Sequence, residues 1–125
     1  MHPDEHFIQF NNASLRITTQ FMDRLERQFP IEHMHASLQL KTAQDFAGLL
    51  SIHVNYLNRA VKEITGKSTT RIIAERITAE AINLLKRTDW NVAEIAHALG
   101  FEYPNYFSSF FKKATGHVPK FYRTQ

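Results

Sequence analysis

The chain has 125 residues, enough for one or two small domains; 43% are hydrophobic, with four glycines and four prolines. This composition is typical of a globular rather than a disordered protein, and the absence of cysteine excludes disulfides and cysteine-based zinc sites. The sequence has no apolar run long enough to span a bilayer, and no charged-then-apolar leader suggests secretion. The lack of cysteine fits a reducing cytoplasm, where we expect the protein.

The net charge of +3 is unevenly distributed along the chain. Residues 1–37 carry a net charge of −2, whereas residues 38–125 carry a net charge of +5. A basic region points to a polyanionic partner such as nucleic acid. Solvated surface lysines explain a charge of this size equally well, so the charge alone does not identify the partner.

Residues 1–37 are predicted to form a lead-in followed by a connector helix. The first dozen residues show no pattern and are expected to be frayed. A helix is predicted from about Ala13 to Phe29, ending at Pro30, because apolar residues recur there at helical spacing; they are Leu15, Met22, Leu25 and Phe29. His33 and His35 are two residues apart and share no helix face, so we predict a surface loop rather than a metal site.

A helix, a tight turn and a second helix are predicted over about residues 42–66. Thr42 and Asp45 form a capping box, in which each side chain accepts a hydrogen bond from the other residue's backbone amide. The second helix is predicted from His53 to Thr65, with Gly66 closing it. The expected core positions are Phe46, Ala47, Leu50, Leu57, Ala60, Val61 and Ile64.

A long uninterrupted helix is predicted next, from about Thr69 to Arg87, with Ser68 as its N-cap. Its apolar stripe consists of Ile72, Ile73, Ile77, Ala81, Leu84 and Leu85. Such a helix is about 28 Å long, close to the ~34 Å of one DNA turn. It could therefore act as a rigid spacer, although an ordinary core helix of an all-α bundle has the same pattern.

A second helix-turn-helix is predicted over about residues 91–116. Asn91 and Glu94 form its capping box, and Gly100 supplies the turn. Its second helix extends from about Pro104 to Thr115 and ends at Gly116. The expected core positions are Ile95, Ala96, Leu99, Phe107, Phe110, Phe111 and Ala114.

The two helix-turn-helix segments are copies of one pattern. A shift of 49 residues superimposes the caps and core positions before the turn, and a shift of 50 superimposes those after it. The second turn therefore contains one added residue. Matching caps, core positions, lysines and closing glycines are an unlikely coincidence, so the sequence predicts two related units.

These residues resemble the signature of the AraC/XylS-type transcription regulators. The matching positions are Ile95, Ala96, Leu99, Gly100, Phe101, Tyr106, Phe107, Phe111, Lys112, Gly116, Pro119, Tyr122 and Arg123. The resemblance covers residues 38–125 and implies an all-α, seven-helix domain in which a long central helix joins two helix-turn-helix subdomains. The helix of residues 13–29 would be an extra one before this domain. Promoter DNA and RNA polymerase are the implied partners, and no cofactor is implied.

Family members often carry an N-terminal effector-binding or dimerisation domain, for which residues 1–37 leave no room. We therefore expect the chain to be the DNA-binding part of a longer regulator, with a standalone small regulator as the alternative.

Base-reading positions follow from the resemblance and from the polar stripe of each second helix. In the first unit the match is to Asn55, Asn58 and Arg59; asparagine can pair bidentately with adenine and arginine with guanine. In the second unit Asn105, Ser108 and Ser109 occupy these positions, and Ser109 stands where arginine is frequent. The second unit is therefore expected to position the protein more than it specifies sequence. A local cap remains an alternative role for Asn55, and a solvated charge for Arg59.

Phosphate contacts are predicted at Lys62, Lys112 and Lys113, and at the helix N-termini capped by Thr42 and Asn91. An enzyme is disfavoured because no grouping of nucleophile, base and orienting residue, and no glycine-rich phosphate loop, stands out. The remaining alternatives to a sequence-specific regulator are a helical protein-interaction module and a nonspecific architectural DNA binder.

Overall fold

The computed structural model describes the backbone of residues 3–124 and the side chains of residues 12–124. This part of the chain contains seven helices and no strand, which confirms the all-α prediction. The helices are α1 (Pro3–Glu26), α2 (Ala43–Leu49), α3 (Val54–Thr65), α4 (Thr69–Arg87), α5 (Val92–Ala98), α6 (Pro104–Thr115) and α7 (Pro119–Arg123). The N-terminal helix is thus one of the seven rather than an addition to them.

The chain folds as two compact units, each with one helix-turn-helix. The first unit comprises the residues up to Arg27 together with Leu40–Ile73. The second comprises Gln28–Gln39 and the residues from Ala74 onward. This grouping differs from a division between residues 37 and 38, because α1 belongs to the first unit and the segment that follows it belongs to the second.

Helix α1 begins and ends earlier than predicted and buries a different face. It extends from Pro3 to Glu26, so the expected frayed lead-in is wrong for the backbone from Pro3 onward, and Phe29 lies outside the helix. Leu15 and Met22 are 50% and 42% exposed. Among the described side chains of α1, the buried ones are Ser14, Ile17, Thr18, Phe21 and Leu25, of which Leu25 was predicted. Two of these residues are polar, so the stripe is not visible in the apolar pattern alone.

The core of the first unit forms where α1 packs against α2 and α3. The rings of Phe21 and Phe46, both fully buried, meet edge to face with centroids 5.1 Å apart. The Ser14 hydroxyl donates a 2.8 Å hydrogen bond to the Glu63 carboxylate on α3. The predicted core position Ile64 is wrong, because this side chain is 37% exposed near the end of α3.

Helix α4 has the predicted bounds, and all six residues of its apolar stripe are buried. The Ser68 hydroxyl accepts a 3.1 Å hydrogen bond from the Arg71 amide, as expected of an N-cap. The stripe predicts the buried face because a helix places every third or fourth residue on one side.

A fully buried carboxylate, that of Glu80 on α4, holds the segment Gln28–Gln39 within the second unit. It accepts a hydrogen bond from the Ile31 amide. Arg87 donates to the Ile31 carbonyl at 2.8 Å and lies 3.5 Å from the Glu80 carboxylate. Arg76 lies 3.9 Å from the other Glu80 oxygen and stacks over the Phe29 ring at 4.1 Å. His33 and His35 lie exposed further along this segment, as predicted.

Arg123 at the end of α7 ties together the end of α4 and the start of the second helix-turn-helix. Its guanidinium donates to the backbone carbonyls of Leu85 at 3.2 Å, Thr88 at 3.1 Å and Trp90 at 2.6 Å. The neighbouring Tyr122 ring packs edge to face against Phe111, with centroids 5.5 Å apart. These contacts give a packing role to the C-terminal pair of the sequence signature.

Candidate nucleic-acid interface

Both predicted capping boxes are present. The Thr42 hydroxyl accepts from the Asp45 amide and the Asp45 carboxylate accepts from the Thr42 amide, each at 3.0 Å. Asn91 and Glu94 make the same reciprocal pair, with both hydrogen bonds at 2.8 Å. Helices α2 and α5, the first helices of the two helix-turn-helix segments, therefore begin where the sequence predicts.

The capping boxes bear on the two phosphate contacts predicted at the helix N-termini. The amides of Thr42 and Asn91 donate to the carboxylates of Asp45 and Glu94. A carboxylate at this position also repels a second anion. The hydrogen bond from the Lys41 amide, and after it those from Thr42, hold the pKa of Asp45 below its ordinary value, although partial burial opposes this. Phosphate contact at the two caps stays a prediction.

The turns of the two units share one backbone conformation. Gly100 has φ 86°, and Ser51, its counterpart in the first unit, has φ 58°. In both units the amide that follows this residue donates to a carbonyl in the preceding helix: Ile52 to Ala47 at 3.0 Å and Phe101 to Ala96 at 2.9 Å. A residue with positive φ is therefore needed at this point, and glycine meets the need with the least strain.

The second helices, α3 and α6, end in the same way and each has 12 residues. Gly66 and Gly116 take positive φ values of 76° and 81°. The preceding threonine hydroxyls donate to the carbonyls four residues earlier, at 2.7 Å for Thr65 and 2.8 Å for Thr115. Starts, turns and ends thus agree between the units, which confirms the internal repeat.

Helix α3 presents its predicted polar stripe to solvent. Its buried side consists of Leu57, Ala60 and Val61, and the stripe of Asn55, Asn58, Arg59 and Lys62 is exposed on the other side. His53 is the N-cap rather than the first helical residue, and its Nδ1 accepts from the Asn55 amide at 3.1 Å. A local cap was the alternative role for Asn55. His53, not Asn55, is the N-cap of α3.

Both cations of this stripe contact groups in α3 or at its C-cap. The Arg59 guanidinium lies 5.8 Å from the centre of the Tyr56 ring, within the range of a cation–π contact. The Lys62 ammonium donates to the Gly66 carbonyl at 2.9 Å. Lys62 thus helps to end the helix, and its remaining N–H groups can still reach an anion.

An open cleft of about 430 Å³ adjoins the stripe in the first unit. It is lined by Asn58, Arg59, Lys62, Ser68, Thr69 and Thr70. Arg59 and Lys62 are the cations among these residues, so the cleft favours an anionic group over a cationic one.

Helix α6 carries a less charged face. Asn105, Ser109, Lys112 and Lys113 are exposed, and Ser108 is half-buried. The helix packs through Phe107 and Phe111, which are fully buried. Two predicted core positions differ: Phe110 is only half-buried and Ala114 is exposed. The candidate base-reading residues of α6 therefore share the helix face with its lysines, but none of them is a cation.

Three exposed tyrosines lie on these faces, and the sequence pattern predicted no role for them. Tyr56 is 38% exposed at the start of α3, and Tyr103 and Tyr106 are 50% and 56% exposed at the start of α6. The available signal was the Asn-Tyr pair that recurs at residues 55–56 and 105–106. Exposure could not be inferred from it, because tyrosine is as often buried as exposed.

The comparisons with known proteins agree with this geometry. A sequence model described as a helix-turn-helix domain matches residues 46–125. The MmsAB operon regulatory protein of Pseudomonas aeruginosa is 34% identical over 92 residues, which is 74% of this chain and 29% of that protein. The HTH-type transcriptional regulator YisR of Bacillus subtilis is 32% identical over 123 residues, which is 98% of this chain and 40% of that protein.

A solved structure has the same architecture. The C-terminal domain of AraT, a response regulator from Geobacillus stearothermophilus, superimposes with a TM-score of 0.72 at 29% identity, covering 86% of this chain and 84% of that one. Two capped helix-turn-helix units with exposed polar second helices define a DNA-binding protein of the double helix-turn-helix class. The chain belongs to the AraC/XylS-type family of DNA-binding transcription regulators.

The chain spans 29% and 40% of the lengths of the two relatives named above. Among the described residues, no helix has the length and apolar character required to cross a membrane.

Proposed function

We propose that the chain binds a promoter site in duplex DNA sequence-specifically, with α3 and α6 entering successive major grooves. The observation that carries the proposal is the exposed polar stripe on the second helix of two units that share caps, turns and ends. The second helix of a helix-turn-helix lies in the major groove and reads base edges from its N-terminal residues.

Within this proposal α3 supplies most of the sequence discrimination. Asn58 and Arg59 are exposed side by side on it, and Asn55 lies one turn earlier. Arginine pairs bidentately with guanine and asparagine with adenine, and each good pair discriminates by about 1–3 kcal/mol. Asn105, Ser108 and Ser109 hold the corresponding positions on α6, where serine makes weaker and less selective contacts.

Lysines supply the phosphate contacts. Lys62, Lys112 and Lys113 are exposed in the later turns of the two helices. Phosphate contacts fix the register of a protein on the duplex and make its affinity depend on salt. Thr42 and Asn91 are further proposed phosphate positions. Contact with their amides requires the Asp45 or Glu94 carboxylate to move away from the amide.

The first experiment is selection of bound duplexes from a random library at two salt concentrations, followed by affinity measurements with two variants. Arg59→Ala should lose about 1–3 kcal/mol on the selected site and relax the preference at one base position. Lys112→Ala should weaken binding to all duplexes alike and reduce the salt slope by about one.

The two variants serve as controls for each other, because both remove one exposed cation from a second helix. If Arg59→Ala bound every duplex as the wild type does, the base-reading assignment would be wrong. Affinity that follows salt but not sequence would indicate an architectural binder. Salt-insensitive capture of a protein without DNA affinity would indicate a protein-interaction module.

We further propose RNA polymerase as a protein partner, and an effector-binding or dimerisation domain N-terminal to these helices in the complete regulator. The proposal is supported by family membership and by the greater length of the relatives. Promoter binding would place the protein in the cytoplasm, with the DNA, and no catalytic activity is part of the proposed role.

A further inference from the structure

Two tyrosines at the start of α6 are exposed to an extent that the fold does not explain. Among the exposed large apolar residues of the described side chains, Tyr106 is the most exposed at 56%, and Tyr103 is 50% exposed. Their rings meet edge to face, with centroids 5.3 Å apart and planes at 85°. This geometry is favourable for an aromatic pair, so each ring restricts the motion of the other.

Helix capping does not account for Tyr103. It is the N-cap residue of α6 but its side chain makes no capping hydrogen bond. Serine, threonine, asparagine and aspartate are the residues that stabilise this position. In the first unit the corresponding residue, His53, does accept a hydrogen bond from the Asn55 amide. The second unit thus has a large aromatic side chain where local stability favours a short polar one.

The position of Tyr106 is that of a reading residue. It lies one turn before Ser109 on the exposed side of α6, away from the buried Phe107 and Phe111. Its counterpart in the first unit is Tyr56, whose ring lies beside Arg59. In the second unit that cation is replaced by Ser109, and the neighbour of the tyrosine ring is Tyr103 instead.

We propose that Tyr106, held in place by Tyr103, reads thymine through its 5-methyl group in the major groove. This inference rests on the proposed function, in which α6 enters that groove. The thymine methyl is the apolar group that the major groove presents, and an apolar side chain distinguishes it from cytosine. The tyrosine ring thus gives α6 a discriminating contact that Ser109 cannot make. Tyr106 is the contacting residue and Tyr103 is a positioning residue.

Uracil scanning tests the contact directly. Each thymine in the half of the selected duplex bound by α6 is replaced singly by uracil, which pairs with adenine equally but lacks the methyl group. Wild-type affinity should fall about fourfold at one or two positions, the value of one buried methyl-sized group. Tyr106→Ala should bind the thymine duplex more weakly and show no further loss with uracil, whereas Tyr106→Phe should retain the uracil penalty.

The positioning role of Tyr103 has its own readout. Tyr103→Ala should reduce the uracil penalty at the same positions while leaving the melting temperature near that of the wild type, because its ring is half exposed. Leu15→Ala on α1 is the matched control, since it removes an equally exposed apolar side chain outside the second helices. This control should leave the uracil penalty unchanged.

Failure of this inference is distinguishable from failure of the proposed function. Sequence-selective binding by a wild-type chain that is indifferent to every uracil would overturn the methyl contact and leave the proposed function standing. Loss of the uracil penalty in Tyr106→Phe would also overturn it, because a hydroxyl contact would then be responsible. Absence of any selected sequence would remove the proposed function and this inference together.

Discussion

At the scale of single residues, one carboxylate sets the start of each first helix. In the first unit the Asp45 carboxylate accepts hydrogen bonds from the amides of Lys41 and Thr42, both at 3.0 Å. These bonds favour the charged form, and the pKa of Asp45 is accordingly lowered in the folded state. A carboxyl with a lowered pKa stabilises the fold fully at pH values above its unfolded-state pKa. This contribution is lost as the pH falls through the folded-state pKa.

We therefore expect acid to weaken the first unit through Asp45. The sign follows from proton binding: below about pH 4 the unfolded carboxyl binds more protons than the folded one, so stability decreases with decreasing pH. Asp45→Asn should cost about 1 kcal/mol at pH 7, because it replaces the charged acceptor of the two amide hydrogen bonds with a neutral one. Denaturant unfolding from pH 7 to pH 3 should show the difference between variant and wild type shrinking. A constant difference across this range would contradict the assignment.

Single residues also explain why the two turns look different in sequence but not in structure. Ser51 and Gly100 both take positive φ. A left-handed conformation costs a residue with a side chain roughly 1–2 kcal/mol. The first unit carries this strain at serine and the second avoids it with glycine, so the backbone requirement is clear only where glycine is present.

At the scale of elements, a segment without regular structure is fixed by a buried carboxylate. Glu80 is fully buried and accepts from the Ile31 amide, and Arg87 bonds to the carbonyl of the same residue. Leu38, further along the segment, donates a 3.0 Å hydrogen bond to the Ala98 carbonyl at the end of α5. The two ends of the segment are thus attached to different helices of the second unit.

Glu80→Ala should destabilise the protein by about 3 kcal/mol, because it leaves the buried Ile31 amide without its acceptor and removes the carboxylate that lies beside Arg76 and Arg87. Glu80→Gln should cost less, since its amide oxygen can still accept from Ile31. Urea unfolding measures both, and hydrogen exchange at the Ile31 amide shows whether the segment is released. Unchanged exchange in Glu80→Ala would mean that the segment is held by its other contacts.

At the scale of the whole molecule, the proposed function, in which α3 and α6 enter successive major grooves, implies a bipartite site in the DNA. A spacing change of half a helical turn, about 5 base pairs, places one half of the site on the opposite side of the duplex. We expect this insertion between the halves to reduce affinity about 100-fold, since a lost half corresponds to several mismatches of about 1–3 kcal/mol each. Band-shift titration measures the loss.

The matched control for the spacing experiment places the same 5 base pairs outside both halves, where affinity should be unchanged. Equal affinities for the two duplexes would show that only one unit reads sequence. That result would agree with the expectation that the serine-bearing α6 serves mainly to position the protein, and it would disagree with the thymine contact proposed for Tyr106.

Most of α2 to α6 could be predicted from the sequence because the determining interactions are local. Capping boxes act over three residues, as Asn91 and Glu94 show. Apolar stripes repeat every three or four residues, and the six stripe residues of α4 are all buried as predicted. Ile64 and Ala114, near the ends of their helices, are exposed against prediction, and Phe110 in the middle of α6 is only half-buried.

The candidate interface was predicted in part for the same reason. The exposed stripe of α3 follows from the positions of Leu57, Ala60 and Val61 on the opposite side. The tyrosine pair of α6 could not be found in this way, because its exposure depends on which neighbours cover the start of the helix. The capping boxes in the sequence already imply that carboxylates accept from the cap amides, and the structure contains both hydrogen bonds.

The sequence by itself determined the caps, turns, helix periodicity and repeat of this protein, since these depend on residues within a few positions of one another. The tertiary structure alone decided the buried face of α1, the role of Glu80 and the role of Arg123. Ser14 meets Glu63 across 49 residues, Arg87 meets Ile31 across 56, and Arg123 meets Trp90 across 33. Polar residues carry these contacts, and a polar residue in a sequence looks the same whether its partner is water or a distant part of the chain.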